Sequence, residues 1–132
     1  MPSQIPESYL DLLTTKKAFA HLATIMPDGS PQVTPVWIDY DGEHVLVNSA
    51  AGRRKDKNME ERPSVSLSIL DPDNNYRYMA LQGRVVDITE EGAKAHIDKM
   101  AQKYWGKESY NHQPGEVRRI YKIQPERVWG MG

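Results

Sequence analysis

The 132-residue sequence contains no cysteine. This excludes a disulfide framework, a thiolate metal site and a thiol nucleophile, and it fits a reducing compartment. No segment approaches the roughly 18 apolar residues of a membrane-spanning helix. The opening "MPSQIPESYLDLL" also lacks the basic-then-apolar order of a secretory leader. A soluble, cytoplasmic protein with no membrane partner is therefore expected. Charge of one sign is missing too: 17 basic residues face 18 acidic ones, for a formal net charge of −1. That balance gives no general attraction to nucleic acid, so any anion site has to be local. The four histidines, at 21, 44, 96 and 112, show none of the spacings typical of a metal site. There is no GxGxxG after a strand, which leaves a Rossmann dinucleotide site unsupported, and no GxSxG nucleophile elbow. No catalytic residue declares itself, so the chemistry of an enzyme built on this chain would fall to a bound cofactor.

What is present is strand and turn signal. "AFAHLATI" and "QVTPVWIDY" flank "MPDGSP", and "DYDGEHV" repeats the Asp-Gly turn before "HVLVNS". Asp-Gly between apolar runs is a strong hairpin signal, so three antiparallel strands in succession are expected. "SVSLSIL" alternates Val65, Leu67 and Ile69 with serines as a half-buried strand does. "YRYMALQGRVVDI" reads as one long strand with a bend or bulge at Gly83, and "VRRIYKIQPERVWGM" as one or two more. "ESYLDLLTTKK" is a short helix. "TEEGAKAHIDKMAQKYWG" is a longer one, with Ala93, Ile97, Met100, Ala101 and Tyr104 on one stripe, acids at its start and Gly106 after its end. These elements predict a mainly β, small six-stranded antiparallel barrel with flanking helices, forming a single domain over residues 1–132.

One short helix breaks a local rule. In "NSAAGRRKDKNMEERPSV", residues 48–65, Arg53, Arg54, Lys55 and Lys57 crowd the start while Glu60 and Glu61 lie near the end. The helix dipole favours the opposite order, by roughly 0.3–1 kcal/mol per exposed charge. Cations at a helix start, where backbone N–H groups are unpaired, strengthen capture of a phosphate or carboxylate. Asn48, Ser49 and Asn58 would be neutral donors to the same anion. The competing reading is a solvated charge run with Lys57 paired to Glu61. In "TPVWI", Pro35 interrupts an otherwise good strand. That marks either an edge strand with a core tryptophan or a place where a planar ring lies against Pro35, Val36 and Trp37. An oligonucleotide-binding barrel stacking bases on Trp37, Tyr40 or Trp129 is a weaker alternative, because the aromatics do not interleave with the bases.

Taken together, "AHLATIMPDGSPQVTPVWIDYDG", "VLVNSAAGRRKDKNMEERPSVSLSI", "YMALQGRVVDI" and "YKIQPERVWGM" resemble the flavin- and deazaflavin-binding split-barrel family. That family includes pyridoxamine-phosphate-oxidase-like proteins, and the likeness is to its small F420-dependent oxidoreductase branch. The resemblance spans nearly the whole chain. It implies a split β-barrel homodimer with the ring pocket between subunits, and hydride transfer between F420, or alternatively FMN, and a small electron-poor substrate. It implies that Thr34, Pro35, Val36 and Trp37 lie along the ring, and that Ser49 with Arg53, Arg54, Lys55, Lys57 and Asn58 holds the phosphate. Tyr78 and Trp129 become candidates for contact from the partner chain, with Tyr78 one possible proton source. A non-catalytic carrier of a flavin, F420 or a tetrapyrrole is the alternative from another functional class. The chain lacks the longer insertions and arginine-rich C-terminus of true pyridoxamine-phosphate oxidases, which argues against that activity.

Overall fold

The computed structural model describes residues 3–132. Its centre is one antiparallel sheet of seven strands: β1 (Ala20–Ile25), β2 (Pro31–Val36), β3 (Asp39–Tyr40), β4 (Val45–Ala50), β5 (Ser64–Leu70), β6 (Tyr78–Thr89) and β7 (Arg118–Met131), in the spatial order β2-β1-β5-β6-β7-β4-β3. Helix α1 (Leu10–Thr14) follows a single 3-10 turn (Glu7–Tyr9), α2 (Arg54–Glu61) joins β4 to β5, and α3 (Ala93–Trp105) lies between β6 and β7. Among the described residues no helix is long and apolar enough to cross a membrane.

Seven strands replace the six expected because "QVTPVWIDY" is not one strand. It divides at Trp37 and Ile38, sending β2 to one edge of the sheet and β3 to the other. The expected succession of three paired strands is therefore wrong: β2 pairs only with β1, and β4 pairs with β3 and β7. The cause lies in α3, whose side chains satisfy the backbone groups freed at the break. The Ile38 N–H donates to the Tyr104 hydroxyl at 3.1 Å, and Lys103 Nζ donates to the Ile38 carbonyl at 3.0 Å.

Other local signals hold. Asp28 and Asp41 accept the N–H groups of the turns they begin, and Gly29 and Gly42 take φ values of 89° and 95°, a region that suits glycine. The β6–β7 pairing shifts register between Gln82 and Gly83, as a bulge does. A side chain at Gly83 would put its Cβ 2.6 Å from the Gln124 carbonyl oxygen. In α3 the buried residues are Ala93, Ile97, Met100, Ala101 and Tyr104, the stripe expected. Its start differs, because Gly92 caps it and Glu90 and Glu91 fall outside the first turn.

The main core lies inside the curl of the sheet, where Leu22, Ile38, Val45, Val47, Ile69, Leu81, Tyr121 and Ile123 are fully buried under α1 residues Leu12 and Leu13. A second cluster, Ile97, Met100 and Tyr104 with Trp37 and Tyr110, fixes α3 beside the strand break. The curl brings the β2 edge back toward β4, and α2 bridges them: Lys55 Nζ donates to Thr34 Oγ1 at 3.3 Å.

Candidate functional site

A cleft of about 200 Å³ lies where β2, β4 and the start of α2 meet the end of α3 and the segment leading into β7. One wall is apolar. Trp37 stacks on Tyr104 with ring centres 5.0 Å apart and meets the edge of Trp105 at 4.7 Å, while Trp105 stacks on Tyr110 at 5.4 Å. Phe19, Pro35, Val36 and Ile97 complete this wall. Phe19 and Trp105 remain about half exposed, at 50% and 44%, so the cleft opens to solvent on its aromatic side.

The opposite wall is cationic. Arg53, Lys55 and Arg118 line it, and no carboxylate does among the described residues. Burial pushes the Lys55 ammonium below its ordinary pKa, and the nearby Arg53 and Arg118 push it further. Glu116 lies just behind, 3.3 Å from Arg118 Nη1 and 4.0 Å from Arg53 Nη2. One acid against three bases leaves a local positive field that an anion would relieve. Between the walls, the buried Ser49 hydroxyl has no hydrogen-bond partner among the described residues. A buried polar atom left unpaired costs roughly 1–3 kcal/mol, so a ligand acceptor at this point would be favoured. Orphan hydroxyl, cations and aromatic wall together fit a planar ring carrying a phosphate.

Seven of the thirteen residues read from sequence line this cleft: Pro35, Val36, Trp37, Asn48, Ser49, Arg53 and Lys55. Thr34 is set at its margin by the bond from Lys55. Arg54 and Lys57 are exposed and do not line it. Asn58 turns inward, fully buried, donating to Thr24 Oγ1 at 3.0 Å and accepting from Arg62 at 3.2 Å, so its side chain is committed to the fold. Tyr78 and Trp129 lie on β6 and β7 and do not line the cleft.

The charge order of α2 is also less inverted than its basic residues imply. Asp56, in its first turn and 1% exposed, accepts from the Gly52 N–H at 2.8 Å, from Arg119 at 3.1 Å and from the Tyr121 hydroxyl. Burial alone would raise its pKa, but these bonds hold it below the usual carboxylate value. Arg119 also reaches Glu60 at 3.2 Å, which anchors the acidic end of the helix.

Sequence reading missed Arg118, Tyr110, Trp105, Phe19 and Ile97. Arg118 enters because β4 and β7 pair with Ala50 opposite it, a non-local register. The one sequence signal for it was the paired bases of "VRRIYKI", in which every second residue would share a face.

No curated protein matches the chain. Among solved structures, one described as an F420 reductase is 35% identical, covering 95% of this chain and 98% of its own with a TM-score of 0.83. A conserved hypothetical protein of Mycobacterium tuberculosis is 24% identical over 97% of this chain and 85% of its own, at a TM-score of 0.71. HupZ of Group A Streptococcus is 21% identical over 96% and 94%, at 0.70. The last two likenesses are of fold alone. The family model described as pyridoxamine 5'-phosphate oxidase matches residues 5–132. A curled antiparallel sheet, a cationic and aromatic cleft at the sheet edge and a family match over nearly the whole length lead to one conclusion: the chain belongs to the pyridoxamine 5'-phosphate oxidase family.

Proposed function

We propose that the protein is a cytoplasmic oxidoreductase that binds F420 in this cleft and transfers hydride between it and a small electron-poor organic substrate. The observation that carries this reading is the unpaired Ser49 hydroxyl beneath Arg53, Lys55 and Arg118, next to a stacked aromatic wall. Family membership supports an oxidoreductase of the flavin and deazaflavin kind, and the 35% identity to an F420 reductase favours the deazaflavin over FMN.

When bound, the ring supplies the hydride chemistry, which the protein need only orient and shelter. Ser49, Arg53, Lys55 and Arg118 would hold the phosphate. Edge strand β2, with half its backbone groups facing away from β1, would follow the ring at Thr34, Pro35, Val36 and Trp37. The Trp37, Trp105 and Tyr110 cluster would exclude water and confine the ring beside the substrate. The cleft is smaller than the roughly 300–1,000 Å³ of pockets that enclose a drug-sized ligand. A second copy of the chain would close the open side, and Tyr78 and Trp129, both accessible in the protomer, are the contacts it would bring.

Fluorescence titration of the cofactor-free protein with F420 and, separately, FMN, at two salt concentrations, tests the reading. Saturable F420 binding, weaker at high salt and stronger than that of FMN, is expected. A preference for FMN would reassign the cofactor, and failure to bind either would overturn the proposal. Turnover of reduced cofactor by electron-poor acceptors then separates an enzyme from a carrier.

A further inference from the structure

Behind the cationic wall runs a chain of four side chains from four elements. Asp39 Oδ2 lies 3.0 Å from His96 Nε2, His96 Nδ1 lies 3.0 Å from Asn48 Nδ2, and Asn48 Oδ1 accepts from Arg118 Nε at 2.9 Å. The second Asn48 amide contact is to the Ala93 carbonyl at 2.9 Å. His96 does not line the cleft, while Asn48 and Arg118 do.

We propose that His96 is a positioning residue that, through Asn48, sets the direction in which Arg118 meets a bound anion. The proposal rests on reading the cleft as a phosphate-binding cofactor site.

Donor and acceptor accounting leaves the chain one arrangement. Arg118 Nε can only donate, so the Asn48 atom facing it is oxygen. The Ala93 carbonyl can only accept, so the atom facing it is the amide nitrogen. The remaining amide hydrogen points at His96 Nδ1, which must therefore carry a lone pair. The ring hydrogen then sits on Nε2 and is donated to Asp39. Burial would raise the Asp39 pKa, but the His96 bond, the Tyr40 N–H and Lys99 hold it below the usual carboxylate range, so it stays an acceptor.

Arg118 is 6% exposed. It is held at Nε by Asn48, at Nη1 by Glu116 and at its face by Tyr110, whose ring centre is 5.0 Å away. Among the described residues Nη2 has no hydrogen-bond partner, so it is the atom left for a ligand.

A proton added at His96 Nδ1 would set N–H against N–H. Asn48 cannot invert to relieve this, because inversion would turn its amide hydrogens on Arg118 and its oxygen on the Ala93 carbonyl. Charging His96 therefore displaces Asn48 as a whole and loosens the Nε bond of Arg118, while its Glu116 and Tyr110 contacts remain. The groups facing His96 are Asp39 from β3, neutral Asn48 from β4, Arg118 from β7 beyond Asn48, and Lys99 and Lys103 from α3 on the Asp39 side. A histidine acting only through its charge would bind an anion more tightly once protonated. A positioning histidine does the reverse.

The test has two arms. In the cofactor-free protein, 15N NMR follows the His96 ring and the Arg118 Nε–H group from about pH 8 to pH 5, the ring signals themselves reporting when His96 is charged. The Arg118 signal should move or broaden together with the His96 titration in wild type, stay constant in His96→Gln, which keeps a donor and an acceptor without titrating, and lose its protection in His96→Ala. In the second arm, calorimetric F420 binding over the same range should weaken in wild type by roughly tenfold more than in His96→Gln, about the value of one charge-assisted hydrogen bond. Any titration of the ligand is common to both proteins. An Arg118 signal indifferent both to His96 titration and to His96→Ala would overturn the proposal, as would wild-type binding that strengthens on acidification relative to His96→Gln. If no form binds F420, the cofactor reading fails while the NMR arm still decides the relay.

Discussion

Replacing Lys55 by methionine tests the cleft most directly. The side chain reaches Thr34 Oγ1, its only hydrogen-bond partner among the described residues, and no carboxylate pairs with it. Burial and two neighbouring guanidinium groups already disfavour its charge. In the empty protein, removing the ammonium should therefore be neutral or slightly stabilising, because it ends a like-charge repulsion and leaves the apolar stem in place. In the complex, it should remove one charge-assisted bond to phosphate, about 1.5–3 kcal/mol. That corresponds to a dissociation constant roughly 10- to 150-fold higher. Lys57→Ala is the internal control: the residue sits on the same helix but is exposed and away from the cleft, so its loss should change affinity less than about threefold, the scale of an exposed charge. F420 titration by fluorescence gives affinity, and urea unfolding without ligand gives stability. Equal losses of affinity in the two variants would mean that α2 acts as a diffuse charge run. A loss of more than about 1 kcal/mol in the empty Lys55→Met protein would mean that the lysine is structural. Either result refutes the reasoning.

Gly83→Ala should cost about 1–3 kcal/mol, because the added carbon meets the Gln124 carbonyl at 2.6 Å and backbone cannot swing aside; a urea midpoint within error of wild type would contradict the bulge assignment. Asp56→Ala should cost about 3 kcal/mol by leaving Arg119 and the buried Tyr121 hydroxyl without their shared acceptor. Because the folded Asp56 pKa lies below its ordinary 3.8, its contribution is present above that value and lost as pH falls through the folded one. The variant's acid unfolding limb should therefore be shallower, and an unchanged limb would count against this role. Lys103, whose only hydrogen-bond acceptors among the described residues are the Leu13 and Ile38 carbonyls, is lowered by burial to about 8. Between about pH 8 and 9.5 the unfolded chain keeps a proton the folded one has released, so stability should rise with pH there, and Lys103→Met should abolish the rise. Identical pH profiles would show that Lys103 is not its source.

Much of this was legible in the sequence wherever the controlling interaction is local. The Asp-Gly turns, the apolar stripe of α3 and the bulge at Gly83 each depend on residues a few positions apart, and each appears as read. The cationic start of α2 was visible for the same reason. What stayed hidden depends on distant partners. Nothing in "VWIDY" signals a break, because its cause is Tyr104 and Lys103, more than sixty positions away. Asn58 looked like an anion donor until the fold placed Thr24 and Arg62 around it. A charge count cannot show that Asp56, one acid in a basic run, is buried against Tyr121 and Arg119.

The division at Trp37 and Ile38 also bears on how the cleft can move. These two residues are the whole link between β2 and β3, the opposite edges of the sheet. Drawing the edges apart would pull on the link, and Trp37 lies on Tyr104 with the ring planes only 3° from parallel. Widening of the gap and loss of that stack are therefore one event. With Trp105 and Trp129 replaced by phenylalanine, the emission of this one indole should track how far the sheet edges have parted.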